Sequence, residues 1–533
     1  MGAHLSVNTI TSDTLAFLSN STVEETEDGD PVTIQVEARD SSGIFTVGGA
    51  VGFSSSITLG AAIGINNINN DVKAYLEETD VEIRGALLVD AKSTSIIFGV
   101  TVGIGIVSNE GRLAGVGSVT VSDITGTTEA YLSGTDANTI DVGETVTVTA
   151  TDSSDIDVHA GGVAVAIPFF AGTSRPSDQS GGTASAAFGG SVAVNRIGTD
   201  TAPKTTKAFI EGVNVEALGT ISLIAAATTT IDSLTIGGGA DVTTNKNRNF
   251  VGTGAGVVSV NTIWTDVRAT ISNSESVAST NGSILLAARD ESNIIADAGA
   301  VAIAADLTVS DDSSRNIQLA IGIGAAHNEI HGVTKTSISA SNVSGATGVE
   351  LDATNNLSQS GPSIRALTFG VGSEVGQAQN PTHGFSFAGG GAGSQNTIRQ
   401  TVESVVMDSH VVSDLGMVTV DARDFSYIDA DAGGVGVIGK IGSDKAEQAK
   451  QSFGIGVTLN DIQNTIHATV TDSTIHALGD VVVRAASSST INAFSLGGSI
   501  LGDLTKEGGD VFEFNVSGGG AGSKNLIDNE IFA

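Results

Sequence analysis

The sequence predicts an all-β protein, an elongated β-solenoid or β-helix of about eight repeats of about 65 residues each, rich in Gly, Ala and Val. Three observations favour this fold class. A tripeptide, Asn-x-Ile, recurs along the whole chain at nearly constant spacing. Aliphatic and polar residues alternate with a period of two, which is typical of strands with one buried face. No segment shows the 3.6-residue apolar period of an amphipathic helix, so we expect almost no helix.

The Asn-x-Ile motif marks the start of each repeat, and a degenerate copy at Ser122 fills the one long gap. The chain of 533 residues is therefore predicted to be a single repeat solenoid spanning 1–533, not three or four domains. The repeats begin near residues 8, 66, 122, 195, 261, 328, 396 and 460, and a partial repeat begins at 525. Two structural roles suit the recurring Asn. Its amide can stack into a ladder between coils, or its backbone can adopt a left-handed turn.

Each repeat then carries a strand of the form aliphatic-x-aliphatic-x-Ala, as in Ile34, Val36 and Ala38. Inward positions are mostly β-branched, and outward positions are Thr, Ser, Asp and Asn, which predicts one buried and one exposed face. Six residues after the Ala, seven copies have an Ile, whereas Gln359 takes this position in the remaining copy. The seven are Ile44, Ile97, Ile156, Ile231, Ile294, Ile428 and Ile491.

The second half of each repeat consists of strands rich in Gly and Ala, such as those at 160–166, 298–304 and 432–437. Glycine in a strand often marks the close approach of another backbone. Either two sheets, or a sheet and a neighbouring chain, pack unusually close here, or small residues fit a tight bend of the coil. Variable insertions are expected at 168–190, 306–315, 361–384 and 439–451, on one side of the solenoid. In or beside them are five aromatic residues: Phe169, Phe170, Phe188, Phe369 and Phe385.

Composition excludes several function classes. The chain has 24 basic and 59 acidic residues, a formal charge of −35, which argues against binding to nucleic acid or to an anionic membrane surface. The longest apolar run, 96–107, is too short to cross a bilayer as a helix, so no membrane insertion is expected. Since there is no Cys, disulfides and thiolate metal sites are excluded.

Acidic clusters are the main candidates for cation binding, because calcium takes six to eight oxygen ligands. The candidate ligands lie near residues 24–30 and 421–431; they are Asp28, Asp30, Asp421, Asp424, Asp429 and Asp431. Neither segment matches the EF-hand loop or the glycine-rich calcium nonapeptide, so a solvated acidic face is the alternative. A separate surface metal site could form at His327, Glu329 and His331, which share one face of a strand.

No catalytic site is predicted, and we expect that the protein is not an enzyme. Polysaccharide-cleaving β-helices use clustered acids beside Lys or Arg, often with aromatic platforms. Here basic residues are sparse, Trp264 is the single Trp, and no pair of acids stands out from the repeat. The alternative is a glycan-binding or glycan-cleaving β-helix, which would require insertion loops that converge on a groove lined with acids and aromatic residues.

The residues of 391–434 and 454–490, with their AGGVGV and Asn-x-Ile runs, resemble the β-strand repeat regions of very large bacterial surface proteins, the leukotoxin-like filamentous adhesins. The resemblance covers essentially the whole chain, except that the third copy is degenerate. It implies an extracellular or cell-surface β-solenoid with a structural or adhesive role. Host surfaces or glycans are its implied partners, and no catalytic residues are implied.

The sequence begins and stops in the same phase of the repeat, since 525–533 align with 8–16. Neither end carries a polar capping unit of the kind that isolated solenoids use. Unpaired strand edges template pairing with another chain. We therefore expect self-association through the open ends of the solenoid, head to tail, into a fibre.

Overall fold

The computed structural model describes residues 1–26, 29–108, 113–167, 184–243, 250–307, 316–357, 361–379, 383–443, 447–506 and 514–533. All regular secondary structure among these residues is β-strand, and every strand pairing is parallel. The predicted all-β solenoid is thereby confirmed. The described part of the chain contains no helix that could span a membrane.

The strands form three parallel sheets. Sheet 1 contains β1 (Gly2–Ser19), β4 (Ile57–Glu77), β7 (Leu113–Thr125), β8 (Thr127–Ser133), β11 (Ala184–Ile197), β12 (Lys204–Glu211), β15 (Phe250–Ser272), β18 (Asn316–Ser339), β22 (His383–Met407), β26 (Glu447–Ile462), β27 (Thr465–Thr471), β31 (Phe514–Ile527) and β32 (Glu530–Phe532). Sheet 2 contains the short strands β2 (Thr22–Glu24), β5 (Asp80–Ile83), β9 (Thr139–Val142), β13 (Asn214–Ala217), β16 (Val277–Ser279), β19 (Asn342–Gly345), β23 (His410–Ser413) and β28 (Thr474–Ala477). Sheet 3 contains β3 (Ile34–Ser54), β6 (Leu87–Ser108), β10 (Val146–Ile167), β14 (Ile221–Thr243), β17 (Ser283–Asp306), β20 (Gly348–Asn355), β21 (Ile364–Gln379), β24 (Met417–Asp424), β25 (Tyr427–Ser443), β29 (Val481–Ser487) and β30 (Thr490–Lys506).

One repeat makes one coil, which runs through sheet 1, then sheet 2, then sheet 3, and returns to sheet 1 in the next coil. Strand pairing sets equivalent repeat positions side by side. Asn8 lies beside Asn66, which lies beside Ser122 of the degenerate copy. With parallel strands about 4.8 Å apart, eight coils stack to about 40 Å, whereas the 25 residues of β22 extend about 80 Å. A single chain is therefore longer along its strands than along the solenoid axis. The solenoid becomes elongated along its axis only when further coils are added.

The column of Ile residues in sheet 3 is complete, and Gln359 does not belong to it. Ile364 pairs with Ile294 on one side and with Ile428 on the other. Gln359 itself falls outside the described residues. The sequence alignment was wrong here because this coil divides its sheet 3 strand into β20 and β21, and the extra residues between them shift the register.

The corner between sheets 1 and 2 has a left-handed residue that is repeated from coil to coil. Asn20, Glu78 and Asn273 have φ of 48°, 46° and 54° there, and Gly212 has φ of 65°. A hydroxyl residue follows in many copies; for example, the Ser341 hydroxyl donates to the Ser339 carbonyl at 2.8 Å. The left-handed turn is therefore made by these residues. The recurring Asn of Asn-x-Ile lies within a strand instead.

The described interior has two large apolar compartments and a third, smaller cluster in the part farthest from sheet 2, formed by Val107, Ala114, Val116, Ala164, Ala166 and Ala187. Where the three sheets meet, Val, Ile, Leu and Ala side chains form a continuous core through the stack, with members such as Leu87, Val146 and Ile221 fully buried. Farther from sheet 2, the Ile column of sheet 3 faces a matching Ile column of sheet 1, where Ile263 and Ile330 are fully buried. Beyond these Ile columns only sheets 1 and 3 face one another, and we call this two-sheet part of every coil the blade.

Sheets 1 and 3 approach very closely inside the blade. A Cβ added to Gly434 of sheet 3 would overlap the carbonyl oxygen of Ile455 in sheet 1, and one added to Gly370 would overlap that of Gly391. Because only glycine leaves room for such an approach, its recurrence reflects packing between the two sheets of one chain. Of the two interpretations left open by the sequence, close sheet packing is the one that the structure shows.

Where the structure describes the predicted insertions, they are largely strand. Residues 184–190 belong to β11, 364–379 form β21, and 439–443 and 447–451 belong to β25 and β26. The segments 168–183, 308–315, 380–382 and 444–446 fall outside the described residues. Each of these four segments joins a sheet 3 strand to the next sheet 1 strand, so chain order places the length variation on one edge of the solenoid. The predicted insertions were too long, because Gly-rich strands have a weak strand signal and their residues were counted as loop.

Candidate functional site

The recurring Asn residues form a buried ladder along the solenoid. Asn261 Nδ2 donates to Asn328 Oδ1 at 2.8 Å, and Asn328 Nδ2 donates in turn to Asn396 Oδ1 at 2.8 Å. The same bond, at 2.8–2.9 Å, joins Asn8 to Asn66, Asn195 to Asn261, Asn396 to Asn460 and Asn460 to Asn525. At the degenerate copy, Asn66 reaches Ser122 Oγ at 3.5 Å. Apart from the break at Ser122, beside which the buried Asn195 Oδ1 has no partner, the amides are engaged with one another, so this column is a structural element.

A second buried polar layer lies between the two apolar compartments. Asp290 is fully buried there and accepts hydrogen bonds from Thr265 at 2.6 Å and Ser292 at 2.7 Å. Burial raises the pKa of Asp290, and the two hydroxyl donors oppose that rise. In another coil, fully buried Lys204 pairs with Asp152 at 3.1 Å. Sequence reasoning missed this layer because its members differ from coil to coil, although a polar residue two positions after the repeat Ala was a usable signal.

The structure does not bring the described calcium candidates together in one cluster. Asp28 falls outside the described residues, and Asp30 is exposed on its own. Asp421 faces outward and is held by Arg484, with Nε to Oδ1 at 3.0 Å, and by Arg423 at 3.1 Å. Asp424 faces inward, where it accepts hydrogen bonds from Ser426 at 2.8 Å and Asn464 at 2.9 Å.

The remaining two candidates, Asp429 and Asp431, lie on the outer face of sheet 3. Burial raises the pKa of Asp429, and the neighbouring Asp431 adds to this rise. The four aspartates of 421–431 therefore divide between two faces, since adjacent strand positions point in opposite directions. Within the described ranges, no group of three or more His, Asp or Glu side chains is placed to hold a metal ion.

His327, Glu329 and His331 do share the outer face of β18, as predicted. His327 Nε2 lies 3.2 Å from Glu329 Oε1, and His331 Nε2 lies 3.5 Å from Glu329 Oε2. The His331 ring stacks on Trp264 with ring centroids 4.0 Å apart. Burial lowers the pKa of His331, against the opposing influence of Glu329. Both imidazoles thus contact the Glu329 carboxylate, and that of His331 also stacks on the indole. They are not arranged as metal ligands.

An aromatic stack runs along the outer face of sheet 1 near sheet 2. Phe17, Tyr75, Tyr131 and Phe209 follow one another with centroid distances of 5.1, 4.7 and 4.6 Å. Burial in this stack raises the pKa of Tyr131 to about 12. Because the two inner rings are covered on both faces by their neighbours, their edges alone are accessible. The stack is suited to stabilising the outer surface, and its inner rings offer no free face on which a sugar could stack.

The outer faces of the blade are apolar, which the sequence analysis did not predict. On sheet 1, Ile323 and Ile455 are 52% and 55% exposed, and Phe188 is 47% exposed. On sheet 3, the outward side chains include Ile303 and Phe369. The expected polar outward positions hold for the half of each strand near sheet 2. In the blade the pattern is largely inverted, with Gly, Ala, Ser, Thr and a few Val such as Val251 and Val257 inside, and Val, Ile, Leu and Phe outside.

The aromatic residues expected in loops belong to these faces. Phe188 is on β11 and Phe385 is on β22, both on the outer face of sheet 1, and Phe369 is on the outer face of sheet 3. Phe169 and Phe170 fall outside the described residues. A shallow depression of about 410 Å³ lies on the sheet 1 face, lined by Val116, Phe188, Gly190, Gly254, Gly256 and Ile321, among others. It is an apolar hollow without charged groups in its lining.

Comparisons with known proteins give no relative. The chain matches no protein family, no curated protein and no solved structure.

Proposed function

We propose that this chain is a structural repeat segment of an extracellular bacterial filament or adhesin, whose coils are continued by further coils stacked head to tail. The observation that carries the proposal is the uninterrupted ladder of in-register coils. The buried Asn amides, the apolar core and the polar layer all extend along the solenoid axis. In this architecture buried polar groups form hydrogen bonds between successive coils. Such coil-to-coil contacts favour a structural role as the shaft of a filament.

The last described coil has an apolar, unpaired surface. Val481 and Val483 occupy the inward column of sheet 3, and they are 50% and 36% exposed. Their counterparts one coil earlier, Val418 and Val420, are fully buried. A coil of matching sequence from another copy, placed on this surface, would bury these side chains and pair their strand edges.

The acidic surface is consistent with an exported, well-solvated shaft. A formal charge of −35 repels other acidic bodies in solution. Along the strands, several outward charges are paired between coils, as in Arg196 with Asp123 at 2.6 Å and Lys335 with Glu403 at 2.9 Å. Pairing between coils lets charges of both signs support the stack, although each exposed pair contributes little by itself.

The glycan-active alternative has no support from the described residues. Its insertion segments lie partly outside them, and the aromatic residues of those segments that are described, Phe188, Phe369 and Phe385, belong to regular strands. Adhesion to host surfaces or glycans is an extension of the proposal that comes from the resemblance alone.

Electron microscopy of the purified chain over a range of concentrations tests the proposal. We expect fibres that lengthen with concentration. The variant Val483→Asp places a charge in the inward column of the last coil and should shorten or abolish the fibres. Its matched control is Val482→Asp, at the adjacent position in register with outward Thr419, which should assemble normally. Dispersed particles about 40 Å tall at all concentrations would overturn the proposal.

A further inference from the structure

We propose that two copies of this chain associate side by side through the sheet 1 faces of their blades, in a two-fold arrangement that inserts Ile323 of each copy over Gly256 of the other. This contact is independent of the end-to-end stacking of coils, since it uses the flank of the solenoid.

The sheet 1 face of the blade is large enough to hold a stable dimer. Six outward positions per strand, over the seven coils from β4 to β26, carry no Asp, Glu, Lys or Arg among the described residues. At about 3.3 Å per residue and about 4.8 Å per strand, this band covers on the order of 1,100 Å². Standard interfaces bury about 800 Å² per partner, and monomers rarely expose apolar patches beyond about 600 Å².

The face is also corrugated with a period of two coils. One column of outward residues alternates strictly between large and glycine, from one strand to the next: Leu59, Gly115, Phe188, Gly254, Ile321, Gly389, Phe453 and Gly518. In this column the ridges lie on β4, β11, β18 and β26, and the furrows lie on β7, β15, β22 and β31. In the next column, Ile323 lies between Gly256 and Gly391. The spacing between ridges is about 9.6 Å, which is two strand separations.

The furrows are partly filled from within the chain. A Cβ on Gly254 would lie 2.7 Å from a ring carbon of Phe188, so that ring leans over the neighbouring glycine. At the next outward position, Gly256 has nothing within 4 Å of an added Cβ, and the furrow is open. The depression of about 410 Å³ lies at this place, between Phe188 and Ile321.

A second copy is the partner whose surface fits this corrugation. A two-fold axis parallel to the strands, in the plane between the two facing sheets and midway between β15 and β18, sets each ridge of this column over a furrow of the other copy. It pairs β18 with β15, β11 with β22, β26 with β7, and β4 with β31. Two parallel stacks share the same strand spacing, so within this column the match is repeated from coil to coil, as in packed sheets of other β proteins. An isologous contact of this kind closes on itself as a dimer.

The charges beside each band indicate that sheet 1, and not sheet 3, binds the second copy. Charge also argues against a lipid surface as the partner. Beside the sheet 1 band, Arg196 pairs with Asp123 at 2.6 Å and Arg399 with Asp461 at 3.4 Å, so its border is balanced. Beside the sheet 3 band, Asp155 and Asp232 have raised pKa values, through burial first and nearby aspartates second. An acidic border of this kind would repel its own copy. A chain with a formal charge of −35 is also repelled by an anionic bilayer surface.

Sedimentation of Val483→Asp protein, in which end stacking is blocked, tests the proposal. We expect a dimer at micromolar concentration. Ile323→Asp puts a charge on a ridge and Gly256→Leu fills a furrow, and each should weaken the dimer at least tenfold. The matched controls are Ile303→Asp and Gly433→Leu on the outer face of sheet 3, where Gly433 also has nothing within 4 Å of an added Cβ. Both controls should leave the dimer intact.

A crosslinking experiment tests the geometry, because the chain has no native Cys. Oxidation of a mixture of Gly256→Cys and Ile323→Cys proteins should give disulfide dimers in higher yield than either protein alone. A monomer at all concentrations overturns the proposal, and so does dissociation caused by the sheet 3 variants alone. Flotation of the monomer with phosphatidylcholine vesicles, abolished by Ile323→Asp, would identify a lipid surface as the partner instead and also overturn it.

Discussion

Asn261 and Asn328 lie 67 residues apart in sequence, yet the Nδ2 of the first donates to the Oδ1 of the second at 2.8 Å, and both side chains are fully buried. This bond joins two successive coils at the centre of the molecule. Buried amides that bond in this way leave little freedom in the register between strands, because a shift by one residue would leave each of them without its partner.

Removal of one amide should destabilise the stack. Asn328→Ala leaves the donor of Asn261 and the acceptor of Asn396 each without one bond, at a cost of about 1–3 kcal/mol for each buried group. We expect a lower urea midpoint in equilibrium unfolding followed by circular dichroism. Thr262→Ala, on the outward side of the neighbouring strand, is the control and should change the midpoint little. An unchanged midpoint for Asn328→Ala would show that the ladder does not contribute to stability.

Substitutions at two adjacent glycines, Gly433 and Gly434, distinguish two reasons for the recurring glycine. One is close packing of the two sheets, and the other is bending of the backbone. Gly434→Ala would force a methyl group against the Ile455 carbonyl of the opposite sheet, whereas at Gly433 the same methyl group meets nothing within 4 Å. Overpacking costs about 1–3 kcal/mol, and more where the backbone cannot move. Thermal unfolding should therefore show a clear loss for Gly434→Ala and almost none for Gly433→Ala. Equal losses for both would mean that backbone conformation, and not the approach of sheet 1, requires the glycines.

The buried ion pair should behave differently when one or both partners are removed. Lys204→Met leaves Asp152 as an unpaired buried charge, which typically costs about 3–5 kcal/mol. In the double variant Lys204→Met with Asp152→Leu, no charge is left, and most of that loss should be recovered. Urea unfolding of the wild type, the single variant and the double variant measures this. A double variant less stable than the single one would show that the pair is irreplaceable for stability.

Stability should fall as pH rises through the range in which Asp290 ionises. Burial raises the pKa of Asp290 above its unfolded value, so between the two pKa values the folded state binds more protons than the unfolded state. The stability contributed by the protonated carboxyl is thus present at low pH and is lost as pH rises through the folded pKa. Asp155, Asp232 and Asp429 also have raised pKa values and act in the same direction.

Asp290→Asn should accordingly flatten this pH dependence, as measured by urea midpoints between acid and neutral pH. Asp429→Asn, on the outer face of sheet 3, is the control and should remove a smaller part. Equal slopes for the wild type and Asp290→Asn would contradict the assigned burial of the charge.

The repeat positions near sheet 2 could be predicted because strands there obey a simple rule, with aliphatic residues inside and polar residues outside. Val36 and Ala38 pair with Val89 and Ala91 in the next coil, as their shared repeat positions require. The blade could not be predicted by that rule. Its inner positions must be small because two backbones almost touch, so its large residues, such as Ile323, are turned outward.

The candidate sites depended on closeness in sequence, which is a poor guide in a strand. Asp421 and Asp424 are three residues apart and lie on opposite faces, where each is satisfied by its own partners. The contacts that matter join residues about one coil apart, such as Arg484 with Asp421. Gln359 illustrates the same limit, because a few inserted residues moved the register of its coil to Ile364.

Fibre diffraction from oriented, concentrated protein tests the central claim, that coils continue head to tail into a filament with strands perpendicular to its axis. The account predicts a reflection at about 4.8 Å along the fibre axis, from the coil-to-coil spacing, and its loss in Val483→Asp. Failure to orient into fibres, or a reflection of that spacing perpendicular to the axis, would contradict it.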